Sequence, residues 1–507
     1  RDAPDVRLTS LTASSLNQIR RRNRSTTSAR SDGRAGSGAD FGSGADSGFA
    51  LVWASAGASA GSKRRCIAAG SRRGETPGET SPRGETEGES GRGAGDAGDA
   101  DFPTLGDYLR RCGRLPLHAG ELIGMGTLRA GIAGFRPGAL TAAEGKAVRA
   151  ALERALADGA LGVSLGLGYA PESYETTEEL ISLLSPLRRS GVVISVHMRQ
   201  EGDGVEEALS EMLTVARTLE TPVEISHLKA IGRRNWRRAV PNMLRAIEKA
   251  RAEGLDVSCD VYPYSAGSTQ LIHVLPPESH AGGLEALTAR LRDPEAQAAI
   301  RRRMETGTDF ENITLLVGFE NVRPTGLRTP EYAPYEGVPL SEIARDRGQD
   351  PFDALFDLLS AEGGTPGMID TIASEEDIGE ILRAPFSSAI SDATYPGTGL
   401  IHPRVTGMTA ELLRRFVRER HVLTLEEAVN RLTLRPAERY GLATKGCVAL
   451  GAAADLCLFD PEGFRPVGTY ADPRRAAAGM DWVFVAGRPV LREGRRTGER
   501  PGGILRR

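Results

Sequence analysis

Cysteine is scarce, with five in 507 residues, at Cys66, Cys112, Cys259, Cys447 and Cys457. Five scattered thiols make neither a disulfide framework nor a zinc knuckle, and a reduced cytoplasmic compartment is the expectation. Long apolar runs are missing as well. No stretch of about 18 or more apolar residues occurs, so no membrane-spanning helix is expected. Charge of one sign is also missing. Lys and Arg number 64 against 67 Asp and Glu, a formal net charge of -3, which leaves no strong field for nucleic acid or an anionic membrane. The glycine-rich run GLGYAPESY is not followed by Gly-Lys-Ser/Thr, so it is no phosphate loop. The Arg- and Ser-rich opening residues lack the continuous apolar core of a secretory leader.

What is present divides into three textures. Residues 1–100 are low-complexity Gly, Ser, Arg, Glu and Ala, including the near-repeat RGETPGETSPRGETEGES. Such a segment buries too little apolar area to offset its ordering entropy, and disorder is expected, with a short strand at most in FALVWASA. From Phe102, strand-like and helix-like segments alternate at a spacing of about thirty residues. The strands are ALGVSLGL, VVISVH, PVEISH and LDVSCDVYPY, followed by NITLLVG and SSAISD. The helices include EGKAVRAALERALADG, TTEELISLLSPLRRSG, GVEEALSEMLTVARTLE and AVPNMLRAIEKARAEG, several of them stopping on glycine. This alternation is the pattern of βα units around a parallel sheet. From about Lys445, short strands with glycine turns suggest a small β-unit.

Two of the strands raise a chemical question. VVISVH and PVEISH each end an apolar, β-favouring run on a histidine, His197 and His227. In a parallel α/β barrel, catalytic groups sit at the carboxyl ends of strands. A lone histidine there is ordinarily a hydrogen-bonded structural residue, but two at matched ends of neighbouring strands point towards a shared cation. Neutral imidazole suits zinc, and zinc brings the pKa of its water to about 7. Asp260 lies inside the next strand, and Asp392 ends SSAISD, where it is a helix cap, a loop-turn residue or a carrier for the water's proton. Lys229 is either a solvated loop charge or an anion binder at the mouth. Tyr262 and Tyr264 read equally as packing aromatics or hydroxyl donors. His273, His280, His402 and His421 occupy no matching strand end, although His402 sits in a glycine-flanked loop that can line a site.

Taken together, GALGVSLGLGYAPESYETTEEL, VHMRQEGDGVEEALSEML, VEISHLKAIGRRNW, DVYPYSAGSTQLIHVLPP, SDATYPGTGLIHPR and the tail from LTLEEAVNRL resemble the N-acyl-D-amino-acid deacylases (D-aminoacylases) of the amidohydrolase superfamily. The resemblance runs from about Phe102 to Arg507. It implies an α/β fold, a distorted (β/α)₈ TIM-like barrel over about 101–435 with a partial small β-sandwich over 436–507. It implies Zn²⁺ at the barrel mouth and hydrolysis of the amide of a small-molecule N-acyl-D-amino acid. By position, His197 and His227 match the family's metal ligands and Asp392 its catalytic aspartate. Lys229, Tyr262 and Arg404 match positions that hold the substrate's α-carboxylate, and Tyr169 a position near the reacting amide.

The departures are equally specific. The family carries a His-x-His pair on its opening barrel strand and a metal-bridging cysteine soon after. No His-x-His occurs in this chain, Cys66 has the wrong neighbours, and Met125 in GMGTLR stands where the family usually shows histidine. The first barrel strands are therefore expected to be missing or replaced, as a misassigned start or a shifted reading frame would cause. Two other readings stand beside the zinc hydrolase. One is a catalytically impaired relative that binds a ligand or partner without turnover. The other is a zinc-free barrel that uses Lys229 as a Schiff-base amine.

Overall fold

The computed structural model describes residues 104–394 and 399–507. The disorder expected for residues 1–100, the short strand in FALVWASA and the surroundings of Cys66 fall outside the described residues.

Alternation of strand and helix produces one six-stranded sheet. Its order across the sheet is Ser387–Ala389, Val257–Val261, Val223–Ile225, Val193–His197, Gly162–Gly166 and Leu122–Gly124. Every neighbouring pair is parallel. The two end strands are not hydrogen-bonded to each other among the described residues. The described residues thus build a mixed α/β fold around this parallel sheet.

Register explains the two faces of the sheet. Ser164, Ser195, Glu224 and Ser258 align across four strands, and Val163, Ile194, Val223 and Val257 align one residue earlier. Side chains alternate between faces along a strand, so a polar row and an apolar row follow. The apolar row joins the main core, with Leu152, Leu183, Met212, Val240 and Ile247 of the surrounding helices. Met125 is fully buried in the same core, a packing role.

Local signals set the helix ends. The helix Ala142–Ala157 opens on a capping box between Thr141 and Glu144. Thr176 caps Thr177–Leu183, which stops short of the expected Gly191. Pro186 follows within a 3₁₀ turn at Ser185–Leu187, because proline has no N–H to continue the helix ladder.

Two further features differ from the expectation. NITLLVG is a helix, Ile313–Val317, and not a strand. The Asn312 side chain caps it by accepting the Leu315 N–H at 3.3 Å, a local bond that a five-residue apolar run cannot reveal by period. A second, antiparallel sheet, ordered Ala266–Gln270, Gly367–Thr371 and Val322–Thr325, was not expected. It has its own core, with Leu271, Leu355, Phe356 and Met368. At the C-terminal end, Leu456–Phe459, Met480–Val485, Arg488–Arg492 and Arg495–Arg496 form a separate antiparallel sheet, as the glycine-turn pattern implied. No helix among the described residues is long and apolar enough to cross a membrane.

Candidate metal centre

His197 is the last residue of its strand, and His227 lies two residues beyond Ile225 on the neighbouring one. The two rings meet at a centroid distance of 4.9 Å and an angle of 64°. His197 Nδ1 lies 3.2 Å from His227 Nε2. Two nitrogens that each sit about 2.05 Å from a tetrahedral zinc are about 3.3 Å apart, so this pair already has the spacing of two ligand atoms.

Glu201, one loop turn beyond His197, completes the group. Among the described residues, His197, Glu201 and His227 are the one set of three whose donor atoms all lie within 4.8 Å of each other. Two imidazoles and a carboxylate are a donor set that zinc accepts in hydrolases, so the residues present fit the ion. The sequence reading passed over Glu201. Its signal was an acid four residues after a strand-end histidine in VHMRQE, which by itself resembles any solvated loop charge.

Both Glu201 oxygens have partners within the chain. Oε1 lies 3.0 Å from His227 Nδ1, and Oε2 accepts a bond from Lys229 Nζ at 2.6 Å. The same ammonium lies 2.8 Å from His227 Nδ1. The backbone N–H of Glu201 donates to Glu311 at 2.8 Å, which fixes the loop. Burial opposes ionisation of Glu201, but Lys229 and the two histidines overcome it and hold the carboxyl well below its usual range. Burial lowers His197 to about 3, so its ring is neutral at neutral pH and free to ligate. Its Nε2 is buried with no hydrogen-bond partner.

Tyr169 stacks on His197 with centroids 4.3 Å apart, and its hydroxyl lies 3.3 Å from His197 Nδ1. The other neighbour of the Tyr169 ring is His273, at 4.2 Å. His273, which occupies no matching strand end, thus lies beside the site. Its position comes from the antiparallel sheet that the sequence did not announce, since it directly follows the strand Ala266–Gln270.

The remaining expected residues form a second cluster. Asp392, at φ 45°, pairs with Arg404 Nη1 at 2.9 Å. The Arg404 guanidinium lies over the Tyr262 ring at 4.5 Å and donates to the Ser268 carbonyl at 3.0 Å. His402 is buried and seats Arg404, accepting its backbone N–H at Nδ1 at 2.9 Å, while Nε2 contacts the Ala266 carbonyl at 3.0 Å. His402 is thus a support for Arg404. The two clusters share one electrostatic environment, because the Asp392 charge acts on both His197 and Lys229.

A parallel sheet with imidazoles and a carboxylate at its strand ends defines a class, and the comparisons agree with it. The model of the amidohydrolase family matches residues 92–491. The chain belongs to the amidohydrolase family. Its similarity runs to the D-aminoacylases in particular. A D-aminoacylase of Alcaligenes xylosoxydans xylosoxydans is 32% identical over 414 residues, spanning 81% of this chain and 75% of the relative. A D-aminoacylase structure, described for the role of its binuclear metal centre with one-metal activation and second-metal attenuation, aligns with a TM-score of 0.66 and 31% identity over 80% of this chain and 76% of its own. An N-acyl-D-glutamate deacylase from Bordetella bronchiseptica, complexed with zinc and a phosphonate mimic of the tetrahedral intermediate, aligns with a TM-score of 0.67 and 29% identity over 81% and 76%.

Proposed function

We propose that the chain hydrolyses the amide bond of an N-acyl-D-amino acid, releasing a carboxylate and a D-amino acid, in the cytoplasm and with one zinc ion. The observation that carries this reading is the 3.2 Å approach of His197 Nδ1 and His227 Nε2 at adjacent strand ends. His197 and His227, with Glu201, would hold the zinc. Bound there, zinc supplies a Lewis acid and lowers the pKa of water to about 7.

The chain's own residues do the rest. Lys229 and Arg404, with the Tyr262 hydroxyl, bind the substrate's α-carboxylate, where two cations and a hydroxyl make a charge-assisted clamp. That clamp orients the acyl carbonyl beside Tyr169, whose hydroxyl donates to it. Burial holds the Tyr169 hydroxyl well above its usual pKa, so it remains a proton donor. Asp392 takes the proton from the attacking water as the C–O bond forms, and returns it to the nitrogen as the C–N bond breaks. The domain division 101–435 and 436–507 is part of the same reading.

A second reading, binding without turnover, draws on the Lys229 ammonium 2.6 Å from Glu201, which competes for the third donor. It also draws on the absence of His-x-His. A panel of N-acetyl-D-amino acids, run with zinc analysis on the full chain, separates the two. Turnover that is lost in both His197→Ala and Asp392→Ala supports the hydrolase. Zinc-free protein that binds the same compounds without cleaving them supports the second reading.

A further inference from the structure

His227 sits where its strand turns over. The preceding residue, Ser226, donates its N–H to Val196 of the strand on one side at 3.0 Å. The following residue, Leu228, donates to the Asp260 carbonyl of the strand on the other side at 2.8 Å. In a regular strand, N–H groups two residues apart face the same neighbour. Here they face opposite neighbours, and the residue between them has φ 41°, the left-handed region that side chains other than glycine rarely enter. The His227 N–H therefore has no place in the ladder. It donates instead to the Asp260 side chain, Oδ1, at 2.5 Å.

Asp260 is itself braced. It is buried, and its Oδ2 lies 3.5 Å from Ser226 Oγ, which contacts Ser195 Oγ at 2.7 Å. Its carboxyl also hydrogen-bonds Glu224, which is held by Arg439 Nε at 3.0 Å and by Ser258. A chain of polar contacts thus runs from Arg439 to the backbone of His227. It uses the polar row of the sheet that packing alone does not require.

We infer that Asp260 is the positioning residue for the metal site: its carboxyl holds the strained backbone of His227 and thereby aims the imidazole at His197. The inference rests on the proposed role of His227 as a metal donor. Asp260 touches neither ion nor substrate. Without an acceptor at Oδ1, the His227 N–H is left buried and unpaired, and the turn relaxes towards the ordinary ladder. That relaxation swings Nε2 away from His197 Nδ1. An uncharged acceptor in the same place is sufficient, because asparagine keeps Oδ1 and its amide can donate to Glu224.

The test is zinc affinity of the full chain, measured by competition with a chromogenic chelator, for the wild type, Asp260→Ala and Asp260→Asn. The expected result is a loss of about 10–100-fold in Asp260→Ala, as for supporting residues of metal sites, with Asp260→Asn close to wild type. If Asp260→Ala does not fold, Asp260→Ser, too short to reach the N–H, takes its place. Amide exchange at His227 is read alongside. Protection retained in Asp260→Asn and lost in the shorter variants is expected, with or without zinc. Wild-type affinity and protection in Asp260→Ala would overturn the assignment, as would equal losses in Asp260→Ala and Asp260→Asn. A wild-type chain that binds no zinc removes the metal reading, and the exchange comparison then decides the role of Asp260 alone.

Discussion

Lys229 places its ammonium 2.6 Å from Glu201 Oε2, a buried pair at the centre of the proposed metal site. Burial works against the lysine's charge, but Glu201, Tyr262 and Asp392 raise its pKa above the usual value. Removing the lysine leaves the buried Glu201 carboxylate without its ammonium partner, at a cost of up to about 3–5 kcal/mol. Bound zinc would then replace the missing ammonium beside that carboxylate. Lys229→Met is expected to melt lower than wild type without metal and to gain more from added zinc. Thermal melts with and without zinc check this, and an equal zinc gain in both proteins contradicts it.

Gly168 lies against the imidazole of His197. A Cβ placed there meets His197 Nε2 at 2.9 Å and Cδ2 at 3.2 Å. Gly168→Ala must push the ring, and a displacement of about 1 Å at a reacting site costs up to about 10²-fold in rate. The expected outcome is a clear loss of kcat/KM with a thermal midpoint near wild type. Unchanged turnover removes the close contact from the account.

Glu172 gives a stability signature that does not depend on the metal. Burial, with Glu175 nearby, raises its pKa from 4.5 to about 8. Its Oε2 accepts the Gly166 N–H at 3.0 Å. Between those pH values the folded chain keeps a proton that the unfolded chain releases, so the contribution is complete below 4.5 and is lost as pH rises through about 8. Glu172→Gln stays neutral and keeps the acceptor. The midpoint difference between Glu172→Gln and wild type is expected to shift in favour of the glutamine from pH about 5 to 8. A difference independent of pH contradicts the assignment.

Asp392 tests the chemistry apart from binding. Its carboxylate pairs with Arg404 at 2.9 Å, and Asp392→Asn keeps an oxygen for that contact while losing the base. The expected loss in kcat is about 10²–10⁴-fold, with zinc content unchanged. Turnover near wild type assigns the proton transfer elsewhere.

Much of the architecture was legible in the sequence because two periods alternate. Apolar runs such as VVISV alternate with amphipathic runs such as GVEEALSEMLTVARTLE, and a histidine at a strand end is chemically conspicuous. His197 and His227 were found that way, and the structure brings them together. Glu201 was not found, because a carboxylate in a loop after a strand has the same local appearance whether it meets solvent or a buried lysine. His273 and the antiparallel sheet at Ala266–Gln270 were missed because AGSTQ has neither apolar alternation nor a turn signal. Ile313–Val317 was misread because the Asn312 cap, not the apolar run, decides its geometry. Asp260 was visible as a residue inside a strand, but its partner is a backbone N–H that exists only because His227 turns over.

The most direct measurement is zinc per chain after gentle purification, for the wild type, His197→Ala and His227→Ala, with melts to show that each is folded. The account expects about one zinc in the wild type and a large loss in each folded variant. A wild type without zinc, or folded variants that keep it, would contradict the claim that these two imidazoles share one ion.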